Sequence, residues 1–284
     1  MIEDGFFRRK TIAIVGLGLM GGSLALALRL HVGALLAVDP DPETRRYALE
    51  RRLVNKASAD PAEILPQADL IILAAPVRVN LQLLAQLPTL CPTSSAVIDL
   101  SSTKAEIVAE MNRLPERFFA LGGHPMCGKE TSGLPHAEAK LFKNAVFALT
   151  PTERTTPALR ELAEQLISLI GSRPLWLDAQ THDNWVAATS HLPYLLSAAL
   201  SSSAPPEAAP LASSGFRSAT RLAASDVDMM LDILLTNRAP LISALQNFRL
   251  ALTELETTLA ATNERALREQ LTHARGSRKK LLSD

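Results

Sequence analysis

The sequence predicts an α/β fold: an N-terminal Rossmann-type, doubly wound, mostly parallel sheet, followed by an all-helical C-terminal domain. Three observations predict it. Short apolar runs alternate with helical stretches over residues 11–178, and that alternation places helices on both faces of a parallel sheet. The first two runs are joined through Gly16-Leu17-Gly18-Leu19-Met20-Gly21. Beyond Asp178 the alternation stops and no strand pattern follows.

The run Thr11-Ile-Ala-Ile-Val15 is β-branched and apolar, as a buried strand requires. Gly22 to Arg29 reads as the start of a helix, and Ala34-Leu-Leu-Ala-Val38 as a second strand ending in Asp39. Strand, glycine turn, helix, strand and acid together form the dinucleotide-binding fingerprint. Gly16 permits the tight turn, Gly18 lets backbone approach a pyrophosphate, and Gly21 lets the helix pack on the strand. The pyrophosphate sits on the helix N-terminus, where Leu19 and Met20 lie and free N–H groups favour an anion. Asp39 hydrogen-bonds a ribose 2′-hydroxyl and repels a 2′-phosphate, which favours NAD over NADP. Arg45 and Arg46 could serve a phosphate, but a solvated helix face is the simpler reading.

Further strands are expected at 69–75, 95–100, 117–122, 145–149 and 174–177, and helices at 42–52, 78–88, 103–113 and 155–170. Ala75, Pro76 and Ser101, at the carboxyl ends of two of these strands, complete the candidate cofactor contacts. The domain boundary falls at 178: residues 1–178 form the nucleotide domain and 179–284 the helical one. In the latter, 181–203 is apolar all round and reads as buried, and Ala204-Pro-Pro-Glu-Ala-Ala-Pro210 breaks the chain. Ser225 reads as an N-cap with Asp228 three residues on, Asn237 as a stop, and 240–262 and 263–281 as long helices.

The 284 residues carry 47% hydrophobic and 20% charged side chains with zero formal net charge. Such a balance suits two packed domains and offers no electrostatic footprint for nucleic acid or an anionic membrane. Thr11 to Leu28 is uncharged and long enough for a membrane span, but the glycine turn divides it. Glu3 and Asp4 precede Arg8-Arg9-Lys10, unlike a secretion signal. Cys91 and Cys127 lack metal or redox spacing and read as free thiols of a reducing cytoplasm.

Four segments bear chemistry. Asp99-Leu-Ser101-Ser102-Thr103-Lys104 lies at a strand's carboxyl end, where doubly wound folds bind ligands. Ser102 can bond a substrate hydroxyl, whereas Thr103 and Glu106 can form a capping box for the next helix. Gly122-Gly123-His124-Pro125-Met126-Cys127-Gly128-Lys129-Glu130 reads as a glycine-fixed loop with His124 at its start. Histidine is the natural base near neutral pH; a turn histidine bonding local backbone is the alternative. Glu130 can touch substrate, shift His124 or be solvated. His191, in Ser190-His191-Leu192-Pro193, is a ligand or a satisfied core histidine. Arg217 and Arg221, in Gly215 to Arg221, have guanidinium forks that match carboxylates.

In this order, Asp99 to Lys104, His124 to Gly128, Ser190 to Pro193 and Phe216 to Ala223 resemble the motifs of the prephenate and arogenate dehydrogenases of tyrosine biosynthesis. The likeness runs along nearly the whole chain. It implies NAD-dependent oxidative decarboxylation of prephenate to 4-hydroxyphenylpyruvate. The alternative is arogenate to tyrosine, as in an arogenate or cyclohexadienyl dehydrogenase. It also implies a homodimer formed through the helical domain; the expected location is the cytoplasm, and the chain is expected to depart from longer relatives in having no regulatory domain. By the resemblance, His124 bonds the C4 hydroxyl of the substrate and Ser102 orients it. His191 and Arg221 bind substrate, Arg221 through a carboxylate, with Arg217 and Glu130 as further candidates. Ser101 replaces the family's usual glycine, which raises a question of local backbone geometry. A β-hydroxyacid dehydrogenase shares the opening motif but needs a lysine in its second domain, and none occurs between Lys143 and Lys279. A non-catalytic NAD-binding sensor would have no reason to keep Ser102, His124, His191 and Arg221 together.

Overall fold

A computed structural model describes residues 6–129 and 131–282. Glu130 lies outside them, and with it the substrate contact expected there; so do Glu3 and Asp4. Chain order runs β1 (Thr11–Val15), α1 (Leu19–Leu28), β2 (Ala34–Val38), α2 (Pro42–Glu50), β3 (Lys56–Ser58) and β4 (Leu70–Leu73). It continues with α3 (Val77–Leu90), β5 (Ser95–Asp99), α4 (Ala105–Asn112), β6 (Phe118–Pro125), β7 (Val146–Pro151), α5 (Pro157–Leu169) and β8 (Arg173–Trp176). The strands form one sheet in the order β3-β2-β1-β4-β5-β6-β7-β8. All neighbours are parallel except β6 and β7.

The sheet is apolar on both faces because its strands are. Ile12 and Ile14 of β1 join Leu24, Leu28 and Leu166 in one core, while Ala13 and Val15 join Leu84, Leu87, Ile107 and Met111 in the other. Every residue of β4 is buried. The short β3 escaped sequence reading because Lys-Ala-Ser has no apolar pattern; backbone pairing with β2 alone makes it a strand. Burial pushes the thiols of Cys91 and Cys127 up to about 11, so both stay protonated and unreactive at neutral pH.

The expected loop at His124 is instead strand. Strand β6 runs to Pro125, with His124 opposite Ala148 of β7. Gly122 and Gly123 serve close approach here: a Cβ on Gly123 would lie 2.6 Å from the Asp99 carbonyl oxygen.

The helices that follow are α6 (Ala179–Val186), a π-helical turn (Ala187–His191), α7 (Leu192–Ser203), α8 (Ser214–Thr220), α9 (Val227–Thr236), α10 (Arg238–Ala260) and α11 (Glu264–Leu282). The proline-rich break becomes a 3-10 helix, Pro206–Leu211, and a second 3-10 turn spans Arg221–Ala224. Asp226, one residue beyond the expected Ser225, caps α9 by accepting from the Met229 N–H, and Asn237 ends it as expected. The described chain divides into two compact units, one ending at Asn237 and one beginning at Arg238. In the first, α6 meets α4 and β7, and α9 meets α3, so α6 and α9 pack with the sheet layer, while α7 and α8 pack on each other. In the second, α10 and α11 pack on each other, turning through Thr262 at φ +50°.

Candidate active site

The glycine turn has the shape its sequence requires. Gly16 sits at φ +90°, and a Cβ there would come within 2.9 Å of the Ala75 amide nitrogen. A Cβ on Gly21 would lie 1.9 Å from the Gly16 carbonyl oxygen, so only glycine lets α1 start this close to β1. Gly18 faces open space, and the N–H groups of Leu19, Met20 and Gly21 form the first turn of α1 beside it. These residues fit a dinucleotide pyrophosphate. At the end of β2, the Asp39 carboxylate accepts from the Leu17 N–H at 2.7 Å and the Asp41 N–H at 3.0 Å. Each oxygen keeps a further lone pair for a ribose hydroxyl. Arg45 braces this corner by donating to the carbonyls of Asp39 and Pro40, and Arg46 pairs with Glu43.

Asn80 ties the next two loops together. Its Nδ2 donates to the Ala75 carbonyl and to Ser101 Oγ, each at 2.9 Å, which fixes the segment of Ala75 and Pro76 against the β5–α4 loop. Ser101 is accommodated where the family has glycine: its φ is not positive, its N–H donates to Asp99 Oδ2 at 2.8 Å, and its hydroxyl accepts from Asn80.

A buried ion pair, Asp99–Lys104, brackets the residue before His124. Asp99 Oδ1 accepts from the Gly123 N–H at 2.9 Å, and Lys104 Nζ donates to the Gly123 carbonyl at 2.7 Å. Burial lowers the Lys104 pKa while Asp99 opposes the shift. The capping box expected from Thr103 and Glu106 does not form. The Asp183 carboxylate of α6 caps α4 instead, accepting the N–H groups of Lys104 and Ala105 at 2.8 Å each. Thr103 bonds Thr236 of α9 at 2.9 Å.

Partly buried His124 contacts His182 Nε2 through Nδ1 at 2.8 Å, and His182 Nδ1 meets Asp183 Oδ1 at 2.8 Å. Burial holds the His124 pKa well below the ordinary imidazole value, and the neighbouring His182, Lys104 and His191 push the same way. His191 is buried at the end of the π-helical turn. Its Nδ1 accepts from Asn237 Nδ2 at 3.1 Å, which leaves its proton on Nε2. Burial pushes its pKa down to about 4, with Asp183 opposing. Ser102 stands in the loop after β5, which neighbours β6 and His124 in the sheet. Arg217 lies on α8 and Arg221 opens the 3-10 turn, both exposed. That turn is tied to α7 by the Ala223 N–H donating to Ser197 Oγ at 2.9 Å.

Sequence reasoning found His124 and His191, which the structure brings to one cluster, but missed His182, Asp183, Asn80 and the second role of Asn237. A signal existed: His182 and Asp183 are polar residues at the head of a helix read as apolar all round, and both are 1% exposed.

Two family models match the chain: the nucleotide-binding domain of prephenate dehydrogenase over residues 24–174 and the dimerization domain of prephenate dehydrogenase over residues 178–273. The chain belongs to the prephenate dehydrogenase family. The prephenate dehydrogenase of Lactococcus lactis is 32% identical over 267 residues, covering 91% of this chain and 73% of that protein. The crystal structure of prephenate dehydrogenase from A. aeolicus, in complex with hydroxyphenyl propionate and NAD+, superposes with a TM-score of 0.89 at 28% identity, covering 96% of this chain and 98% of that one. Synechocystis arogenate dehydrogenase superposes with a TM-score of 0.82 at 32% identity, covering 96% of this chain and all of the other.

Proposed function

We propose that the protein catalyses the NAD-dependent oxidative decarboxylation of prephenate to 4-hydroxyphenylpyruvate in tyrosine biosynthesis. The observation that carries this reading is His124. It is a histidine kept neutral by burial, held near the carboxyl end of β6, at the sheet edge where β1 also ends in the glycine turn. Gly16, Gly18, Leu19, Met20, Gly21, Asp39, Ala75, Pro76 and Ser101 would hold the dinucleotide. When bound, NAD supplies the acceptor for the hydride that leaves C4.

The chain's own residues do the rest. His124 accepts the C4 hydroxyl proton, and Ser102 orients that hydroxyl. As the C–H and O–H bonds of C4 break, a carbonyl forms. The ring carboxylate then leaves as carbon dioxide, and its electron pair restores an aromatic ring. His191 donates from Nε2 to the substrate, and Arg221 meets a carboxylate, which needs a cationic partner once desolvated. Arg217 and Glu130 are further contacts in this proposal. Fixing the C4 hydrogen against the hydride acceptor supplies much of the acceleration.

The boundary between nucleotide and substrate domains is put at 178 in this reading, which family models over residues 24–174 and 178–273 support. A cytoplasmic homodimer through the helical domain completes it. In the first unit Leu231 and Leu235 of α9 are large exposed apolar side chains, and in the second so are Ile242, Leu250, Leu252 and Leu259 of α10; each face has the pattern that another chain covers. Among the described residues no helix is long and apolar enough to cross a membrane.

Following NADH absorbance with prephenate and then with arogenate tests the reaction and separates the two substrates. Comparing NAD with NADP in wild type and in Asp39→Ser tests the ribose contact. Wild type prefers NAD, and the variant narrows the preference. Equal use of NADP by wild type contradicts the role of Asp39.

A further inference from the structure

His124 does not stand alone. It is the outer member of a chain of three groups, and the directions of the hydrogen bonds along that chain follow from its inner end. A carboxylate only accepts, so His182 Nδ1 must donate to Asp183 Oδ1 across their 2.8 Å. With that single proton on Nδ1, His182 is bare at Nε2. The 2.8 Å contact to His124 Nδ1 needs one proton, and only His124 can supply it. The consequence falls on the far side of the ring: His124 carries its proton on Nδ1 and presents the lone pair of Nε2.

We propose that His182, anchored by Asp183, is a positioning residue that fixes His124 in its proton-accepting tautomer and takes over the positive charge when His124 receives the substrate proton. The proposal rests on the reading of His124 as the base. The step balances. Nε2 of His124 bonds the hydroxyl proton, the Nδ1 proton crosses to His182 Nε2, and no electrons are gained or lost. His124 ends neutral with its proton on Nε2, and His182 ends cationic against Asp183.

The surroundings favour this displacement. Around His124 stand His191, from the π-helical turn, and Lys104, which opposes a cation there even though paired with Asp99. His182, by contrast, touches the Asp183 carboxylate. That carboxylate also accepts both leading N–H groups of α4, so it is held on three sides and a helix N-terminus stabilises its charge. The rings of His124 and His182 meet at 64° with centroids 5.1 Å apart, an edge-on contact that leaves the hydrogen bond as their link.

Two variants separate the parts. In Asp183→Asn the amide nitrogen, in the place of Oδ1, can donate to His182 Nδ1 while the amide oxygen still accepts from the Ala105 N–H, at the loss of the bond from the Lys104 N–H. The polarity of the chain then reverses, and His124 is left protonated on Nε2. Turnover should fall roughly 10²–10⁴-fold, the range for a base held in the wrong tautomer, with KM and NAD affinity near wild type. In His182→Gln the side-chain oxygen can still accept from His124 Nδ1, so the tautomer survives but the charge has nowhere to go. Turnover should be intermediate, and the acidic limb of kcat should move to lower pH, because the charge that His182 and Asp183 would have held must stay on buried His124.

The deciding measurement is 15N NMR of ring-labelled protein, which reads the His124 tautomer without turnover. Protonation at Nδ1 in wild type and at Nε2 in Asp183→Asn is the expected result. An Nε2-protonated His124 in wild type, or an unchanged tautomer in Asp183→Asn, overturns the proposal. Full activity of His124→Asn would instead remove the base itself, whatever the NMR shows.

Discussion

Arg221 opens a 3-10 turn whose backbone is fastened to α7 through Ser197. Arg217 lies on the preceding helix, one turn earlier. If Arg221 holds a substrate carboxylate bidentately, Arg221→Ala should raise KM by about tenfold to several-hundredfold with a smaller change in kcat. Lysine should restore only part, because an ammonium lacks the planar fork. Steady-state kinetics with Arg217→Ala as control checks this; a KM effect confined to Arg217→Ala would mean the carboxylate belongs to the other arginine. At this scale the sequence shows position: Asp39 and His124 stand at the strand ends where the apolar runs put them. It was silent on His182 and Asp183, because a His-Asp pair one turn into a helix has many uses. Only the crossing of α6 over the start of α4 selects one of them.

Among elements, the joint between β5, β6 and α4 carries the site. Lys104 is fully buried, and its ammonium links Asp99 to the backbone just ahead of His124. Removing one member of a buried pair leaves the other charge unpaired, so Lys104→Met should destabilise the fold by about 3–5 kcal/mol. Adding Asp99→Asn should recover part of that. Urea denaturation of the single and double variants checks both, and a neutral Lys104→Met would show that the pair is not holding the strands.

The π-helical turn makes a second statement about stability. His191 has its pKa pushed down to about 4 from an ordinary 6.5. Between those values the unfolded chain binds a proton that the folded chain refuses. Stability is therefore full above about pH 6.5 and is lost as pH falls toward 4, by roughly 3 kcal/mol from this group alone. The lowered pKa of His124 acts in the same direction. Urea midpoints at pH 7 and pH 5 should show the loss, and His191→Gln should flatten it.

Element boundaries were legible where apolar runs are long, as at β1, β2 and α5. They failed at β3, which is only backbone pairing, and at the end of β6. There glycines suggested a loop, yet they serve to let Asp99 and β7 approach the strand. The N-terminus of α4 was misread for a related reason: its cap comes from Asp183, 78 residues beyond Ala105, and no local pattern reports such a partner.

At the scale of the whole molecule, the doubly wound sheet with a helical region after it follows from alternation and from its end at Asp178. The helices α6–α9, however, share one compact unit with the sheet, which sequence periodicity cannot indicate because it says nothing about what a helix packs on. That packing is what brings His182 and His191 of the helical region to His124 of the sheet. The central claim is that this joint makes His124 the base for an NAD-linked oxidation. The most direct test is NADH formation from prephenate by wild type and by His124→Asn, with NAD binding measured in parallel. The account predicts robust turnover by wild type and a loss of roughly 10²–10⁴-fold in kcat for a folded variant that still binds NAD. Turnover by His124→Asn close to that of wild type would contradict it.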